Sequence, residues 1–306
     1  MTNEKYPLVS VLIPTYNRPD YFRLALDSVL AQTYPNIEII IGDDSTDNAT
    51  QELVKQFYLP AYKNIIYFRN SPTLGQFQND LMLFEQASGD YINYLMDDDL
   101  FHPDKIQKMM NFFLTDSNIS MVTSYRKLIN EAGVHIPDSI NIKLFEFTTI
   151  LPGTYAGNRM LMDCHNYIGE PTTALFKKQH LTEPFGTLNG REYNCCVDMA
   201  SWLHLLSKGN LAYISEPLSS FRMHSGQQLN SYMKTLEGTE DLTHLITTSQ
   251  NYRFLQNKIE YQQALEKVLQ VILYGFQYYG EDMTDEIKQR LNQCVSTVHI
   301  EIAKQN

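Results

Sequence analysis

Short apolar runs, each ended by a polar cluster and followed by a stretch of helical spacing, recur over residues 1–125. Val9-Ser10-Val11-Leu12-Ile13 reads as a buried strand closed by Pro14. Pro19 suits the first turn of a helix with Asn17 as its cap, and Phe22, Leu26, Val29 and Leu30 follow at helical spacing as the buried face. A second strand, Ile37 to Ile41, stops at Gly42-Asp43-Asp44-Ser45, and a weaker helix, Gln51 to Phe57, leads to a third strand, Ile65 to Phe68. A helix over Gln76 to Ala87, a turn at Gly89-Asp90 and a fourth strand, Tyr91 to Leu95, bring the chain to Asp97-Asp98-Asp99. A helix from Pro103 to Leu114 and a strand from Ile119 to Tyr125 complete the alternation. Strands separated by helices predict an α/β fold with a mostly parallel sheet flanked by helices.

Beyond residue 126 the pattern loosens. Asn130-Glu131-Ala132-Gly133 predicts a hairpin turn, Thr172 to Phe176 and Leu211 to Ile214 predict strands, and Val197 to Lys208 predicts a helix. From residue 236 onward amphipathic helices are expected, including Leu255 to Tyr279 and Thr284 to Lys304. The expected organisation is therefore one domain over 1–230, with halves 1–125 and 126–230, followed by a helical C-terminal module over 231–306.

Composition narrows the function classes. Hydrophobic residues make up 43% and charged residues 19% of the 306 positions, which excludes wholesale disorder. Lys and Arg number 24 against 35 Asp and Glu, so the formal net charge is -11 and no polybasic stretch offers a surface for nucleic acid. Four cysteines, none in a C-x-x-C pair, read as reduced thiols in a cytoplasmic protein, at most peripheral at the inner face of the membrane. No transmembrane segment and no secretory leader are expected.

The chemistry lies at the strand ends. Pro14-Thr15-Tyr16-Asn17, Asp43-Asp44 and Asp97-Asp98-Asp99 each follow a strand, and in an open parallel sheet those ends line one crevice where ligands bind. Three consecutive carboxylates repel one another, and a divalent cation on oxygen ligands is the usual compensation, with Mg²⁺ or Mn²⁺ suited to a site that also receives phosphate. The alternative is a solvated acidic turn. For Asp44, reading a base or ribose competes with closing an Asx-turn, a local task that one of Asp43 and Asp44 is expected to perform.

These motifs, together with Ser28-Val29-Leu30-Ala31-Gln32-Thr33-Tyr34 and Asp43-Asp44-Ser45-Thr46-Asp47, resemble the family 2 glycosyltransferases, nucleotide-sugar-dependent inverting enzymes of the GT-A fold. The similarity runs more loosely to about residue 226 and leaves the helical tail unassigned. It implies that Pro14, Thr15, Tyr16, Asn17, Asp44, Asn79, Asp97 and Asp98 form the nucleotide site, with Tyr16 near the uracil ring of a UDP-sugar. It implies that Asp99 is the direct ligand of a metal on the diphosphate. Where the family has Ala-Arg before Asn79, this chain has Phe77-Gln78.

The stretch Val197-Asp198-Met199-Ala200-Ser201-Trp202-Leu203 resembles the segment holding the family's catalytic base. Asp198 is then the candidate base, with Glu192 in reserve and Trp202 as an acceptor platform; the plainer readings are a helix N-terminal carboxylate and a core indole. Phe221-Arg222-Met223-His224-Ser225-Gly226-Gln227 resembles the closing loop, which implies His224 as a further metal ligand and Arg222 against the departing diphosphate. The expected activity is transfer of a hexose to a hydroxyl on a glycan, lipid-linked sugar or protein, in cell-surface polysaccharide synthesis, the C-terminal helices serving a homo-oligomer or another partner. A nucleotidyltransferase and a non-catalytic partner subunit are the alternatives.

Overall fold

A computed structural model describes residues 6–137, 143–225, 232–281 and 283–305. The strands are β1 (Val9–Thr15), β2 (Ile37–Asp43), β3 (Ile65–Arg69), β4 (Tyr91–Tyr94), β5 (Leu100–Phe101), β6 (Ile119–Ile129), β7 (His135–Ile136), β8 (Thr149–Leu151), β9 (Leu175–Lys177), β10 (Thr187–Leu188), β11 (Arg191–Glu192) and β12 (Asn210–Arg222). The α-helices are α1 (Pro19–Leu30), α2 (Ala49–Leu53), α3 (Gln76–Gln86), α4 (Lys105–Thr115), α5 (Gly153–Asp163), α6 (Val197–Leu206), α7 (Tyr232–Thr247), α8 (Lys258–Tyr279) and α9 (Asp285–Gln305).

The chain forms two compact units interleaved along the sequence: 1–151, 168–185 and 209–224 in the first; 152–167, 186–208 and 225–306 in the second. The boundary expected near residue 230, like Gly226 and Gln227 of the closing loop, lies outside the described residues.

The first unit is an α/β layer structure whose sheet runs β3-β2-β1-β4-β9-β6-β12-β5, with β7 added on β6 and β8 on β12. The pairs β1–β2, β2–β3, β1–β4 and β6–β12 are parallel. Val9, Val11 and Ile13 of β1 and Ile39 and Ile41 of β2 are buried in one core with Phe22, Ala25, Leu26 and Val29 of α1. Burying such side chains stabilises the fold by roughly 1.5–3 kcal/mol each. The chain passes from β1 to β2 to β3 on one side, then returns to place β4 on the other side of β1. That reversal opens a crevice beyond the C-terminal ends of β1 and β4, the position where open α/β sheets bind ligands.

Local details differ from the pattern reading. Arg18, not Asn17, occupies the N-cap of α1 and makes no side-chain cap. Asn17 sits at φ 55, and its side chain instead accepts from the Thr46 N–H at 2.8 Å. β12 runs well past Ile214 because a register shift absorbs Pro217, where a strand tolerates a residue without an N–H.

The second unit holds helices α5 to α9 and the two-stranded antiparallel ribbon β10–β11. Among the described residues no helix is long and apolar enough to cross a membrane.

Candidate functional site

At the crevice the end of β1 and the segment after β4 are joined through Asp97. Its Oδ2 accepts from the Thr15 hydroxyl at 2.9 Å and from the Tyr16 N–H at 3.2 Å. Arg18, which directly follows the polar turn after β1, donates from Nη1 to Asp97 Oδ1 at 3.3 Å and to Asp98 Oδ2 at 3.1 Å. Burial, then the Asp98 charge, pushes the Asp97 carboxyl up to about 6, against the opposing pull of Arg18 and the Thr15 and Tyr16 donors.

The three adjacent aspartates have different surroundings. Asp99 is fully buried, and both its oxygens are engaged: Oδ2 by the Thr172 hydroxyl at 2.6 Å, Oδ1 by the Arg222 N–H at 3.0 Å. Burial and the charges of Asp98 and Glu170 hold its carboxyl well above the usual range. Asp98 instead meets His224, with Oδ2 2.9 Å from the imidazole Nε2. The carboxylate presented to the loop histidine is therefore Asp98, one position before the expected Asp99.

Arg222 is almost wholly buried and pins the loop beyond β12. Its Nε donates to the Asp98 carbonyl at 2.7 Å, and its Nη1 donates to the carbonyls of Asn130 at 3.2 Å and Glu131 at 3.1 Å. The guanidinium lies 4.8 Å from the centre of the Tyr21 ring, which is in turn 5.3 Å from the His224 ring. In this arrangement Arg222 ties together the Asp98 backbone, the β6–β7 turn and α1.

A second cluster forms beyond β2. Asp43 performs the Asx-turn, its Oδ1 accepting from the Ser45 N–H at 2.9 Å, while Oδ2 receives the Tyr67 hydroxyl at 2.6 Å and Arg69 at 2.7 Å. Asp44 holds the loop before α3: it accepts from the N–H of Leu74 at 2.7 Å, the N–H of Gly75 at 2.8 Å and the Asn70 amide at 3.1 Å. Asn79 donates to the Gly42 carbonyl at 2.9 Å and accepts from the Asn70 amide at 3.0 Å. Pro14 lies at the end of β1, and Tyr16 is 52% exposed, leaving a ring face open to a flat ligand.

Asp198, Trp202 and Glu192 belong to the second unit. Asp198 is in the first turn of α6, partly buried, and Glu192 is exposed on β11. Trp202 is fully buried, so its indole offers no face for a sugar ring; the core reading replaces the acceptor-platform expectation. The run Met199–Leu206 is buried throughout, so α6 beyond its first turn is a core helix.

Sequence reasoning named the carboxylates but missed Arg18, Thr172, Asn70 and Tyr21. Arg18 was within reach, since it directly follows the first polar turn. Thr172 comes from a distant 3₁₀ turn, Pro171–Thr173, with no spacing signal linking it to Asp99.

The donor set can be tested for a divalent cation. Among the described residues no group of three or more His, Cys, Asp or Glu side chains is arranged to hold a metal ion. The pair Asp98 and His224 nevertheless fits a Mg²⁺ or Mn²⁺ ion that takes its remaining ligands from phosphate and water, the usual way such ions bind at phosphoryl sites.

Residues 10–183 match the family model described as Glycosyl transferase family 2. The matched stretch contains the three strand-end clusters and stops before Asp198 and the 221–225 loop. A Bacillus subtilis protein described as "Putative teichuronic acid biosynthesis glycosyltransferase TuaG" is 27% identical over 230 residues, covering 73% of this chain and 81% of its own length. The crystal structure of S. aureus TarS 1-349 in complex with UDP-GlcNAc superposes with a TM-score of 0.69 at 15% identity, over 95% of this chain and 80% of that one. The mannosyltransferase PcManGT from Pyrobaculum calidifontis, in complex with GDP-Man and Mn2+, gives 0.54 at 13% identity, over 99% and 85%. At these identities the structural likeness establishes the GT-A fold.

Proposed function

The chain belongs to glycosyl transferase family 2 and is a glycosyltransferase with a nucleotide-sugar donor; from that premise we propose that it transfers a hexose from a UDP-sugar, with inversion, to a hydroxyl of a carbohydrate acceptor. The observation that carries the reading is the joining of two strand ends at the sheet's reversal point, with Asp97 bound to Thr15 and Tyr16 while Asp98 faces His224. The nucleoside would lie over Tyr16, and the loop that Asp44 and Asn79 hold after β2 would form the other wall. UDP is favoured by the TarS complex with UDP-GlcNAc, and a cell-surface polysaccharide acceptor by the name of the Bacillus relative.

Asp98 and His224 would hold the divalent ion, which when bound neutralises charge on the diphosphate; PcManGT carries Mn2+. The reaction asks three things of the protein's own groups. The Thr15–Tyr16 turn and Tyr16 ring orient the nucleoside. Arg18, beside Asp97 and Asp98, supplies positive charge as the leaving group develops. Asp198 accepts the proton of the acceptor hydroxyl as its oxygen bonds to the anomeric carbon from the face opposite the nucleotide. The bond from that carbon to the β-phosphate oxygen breaks, and its electron pair leaves with UDP. Arg222 acts by holding the Asp98 backbone and the loop carrying His224, since its guanidinium is spent on three carbonyls.

Release of UDP from a panel of UDP-sugars with Mn²⁺ tests this. Asp198→Asn should lower the rate by roughly 10²–10⁴-fold while leaving UDP binding intact. An Asp198→Asn protein that works at the wild-type rate contradicts the base assignment.

A further inference from the structure

In the second unit a helix outside every recognised motif grips the segment that leads into the proposed base. Asp241, on α7, is buried, and its Oδ2 accepts three consecutive backbone N–H groups: Asn194 at 3.1 Å, Cys195 at 2.8 Å and Cys196 at 3.0 Å. Its Oδ1 pairs with Arg191 Nη2 at 3.3 Å. Cys196 is the N-cap residue of α6, so the last of these amides lies two positions before Asp198. A carboxylate accepting several backbone N–H groups makes short, charge-assisted hydrogen bonds and fixes the backbone that supplies them.

Neighbouring turns of the same helix face extend the grip. His244, three residues on, bonds through Nδ1 to the hydroxyl of buried Tyr193 at 2.8 Å. Gly238, three residues back, lies so close that a Cβ there would stand 3.1 Å from Cys195 Sγ. The face Gly238-Asp241-His244 thus contacts residues 191–196 at every turn. Residues 194–196 carry no hydrophobic pattern to place them, and the helix supplies the placement through hydrogen bonds.

We infer that Asp241 is a positioning residue for the transfer step: by clamping the amides of residues 194–196 it sets where the first turn of α6 presents Asp198. The inference rests on Asp198 being the base and extends it to a helix beyond the matched family stretch. A displacement of the base by about 1 Å is enough to cost on the order of 10²-fold in rate. Loss of the clamp therefore affects the chemical step far more than donor binding.

The test measures UDP release from saturating UDP-N-acetylglucosamine and Mn²⁺, with water as the acceptor, for the wild type, Asp198→Asn, Asp241→Asn and Asp241→Ala. Amide hydrogen exchange over residues 192–199 is followed in the same proteins. Asp241→Asn should lower kcat by ~10-fold and Asp241→Ala by up to ~100-fold, with KM for the donor unchanged and faster exchange confined to residues 194–198. The partial retention in Asn, which keeps an acceptor oxygen, and the kcat-against-KM split separate positioning from general loss of stability. Asp241 variants with wild-type kcat, or with unchanged exchange at 194–196, overturn the inference while Asp198→Asn remains inactive. Wild-type turnover by Asp198→Asn instead overturns the base assignment on which it rests.

Discussion

Asp98 and Asp99 are chemically identical neighbours, yet one faces a histidine and an arginine near the crevice while the other is sealed in the fold. Asp99 carries the buried hydrogen bonds from Thr172 and Arg222. Asp99→Ala should therefore destabilise the protein by about 2–4 kcal/mol in urea melts, because two donors lose their acceptor out of contact with water. Asp98→Ala should cost less than Asp99→Ala, since its partner Arg18 stays a third exposed to water and the change also removes a like charge that raises both Asp97 and Asp99. It should, however, abolish the Mn²⁺-dependent part of nucleotide binding. The reverse ranking would return the metal to Asp99. The acidic triplet was legible in the sequence as a cluster at a strand end. Which carboxylate faces His224 was not, because Asp99 is taken up by Thr172 and the Arg222 backbone, 73 and 123 residues away.

At the scale of elements, the alternation in the first 125 residues was readable because its strands are β-branched and its helices are spaced for one buried face. Helix α5 escaped notice: its buried side is Gly153, Ala156, Gly157, Met160 and Leu161, too small at three positions to print a hydrophobic stripe. Small residues serve close approach there, since a Cβ on Gly157 would lie 2.2 Å from the Phe254 ring. Gly42 plays the same part between β2 and α3, where an added Cβ would stand 2.2 Å from Asn79 Oδ1 and 3.1 Å from Leu83. Gly42→Ala should cost roughly 1–3 kcal/mol and disturb the Asn79 contact, read as a lower urea midpoint with an unchanged slope. The α7 clamp also predicts a pH dependence. Burial, then Arg191, lowers the pKa of His244 against the weaker pull of Asp241. The unfolded chain then takes up this proton first, from about pH 6.5 downward, so His244 makes stability fall as pH falls through that point. His244→Gln should show a shallower loss between pH 6.5 and 5; an identical slope would contradict the assignment.

For the whole molecule, the sheet order places the strand-end clusters on one edge, and the family membership follows from residues that fold there. The three strand-end clusters lie in the first unit, so the sequence could identify its α/β layer with little help. The second unit is built from helices whose amphipathic faces establish packing but carry no chemistry of their own in the pattern. Its interleaving with the first, through 152–167 and 186–208, involves no composition shift or linker that a sequence reading could detect. The net charge of -11 coexists with the site proposed for an anionic donor, where Arg18 and the proposed divalent ion would supply the local positive charge. Thermal unfolding with UDP, GDP and dTDP, each in Mn²⁺ and again in EDTA, tests that account most directly. It predicts stabilisation by UDP with Mn²⁺, about 2.7 kcal/mol at 100 times the dissociation constant, lost in EDTA. A protein whose unfolding is unmoved by all three nucleotides in Mn²⁺ would contradict it.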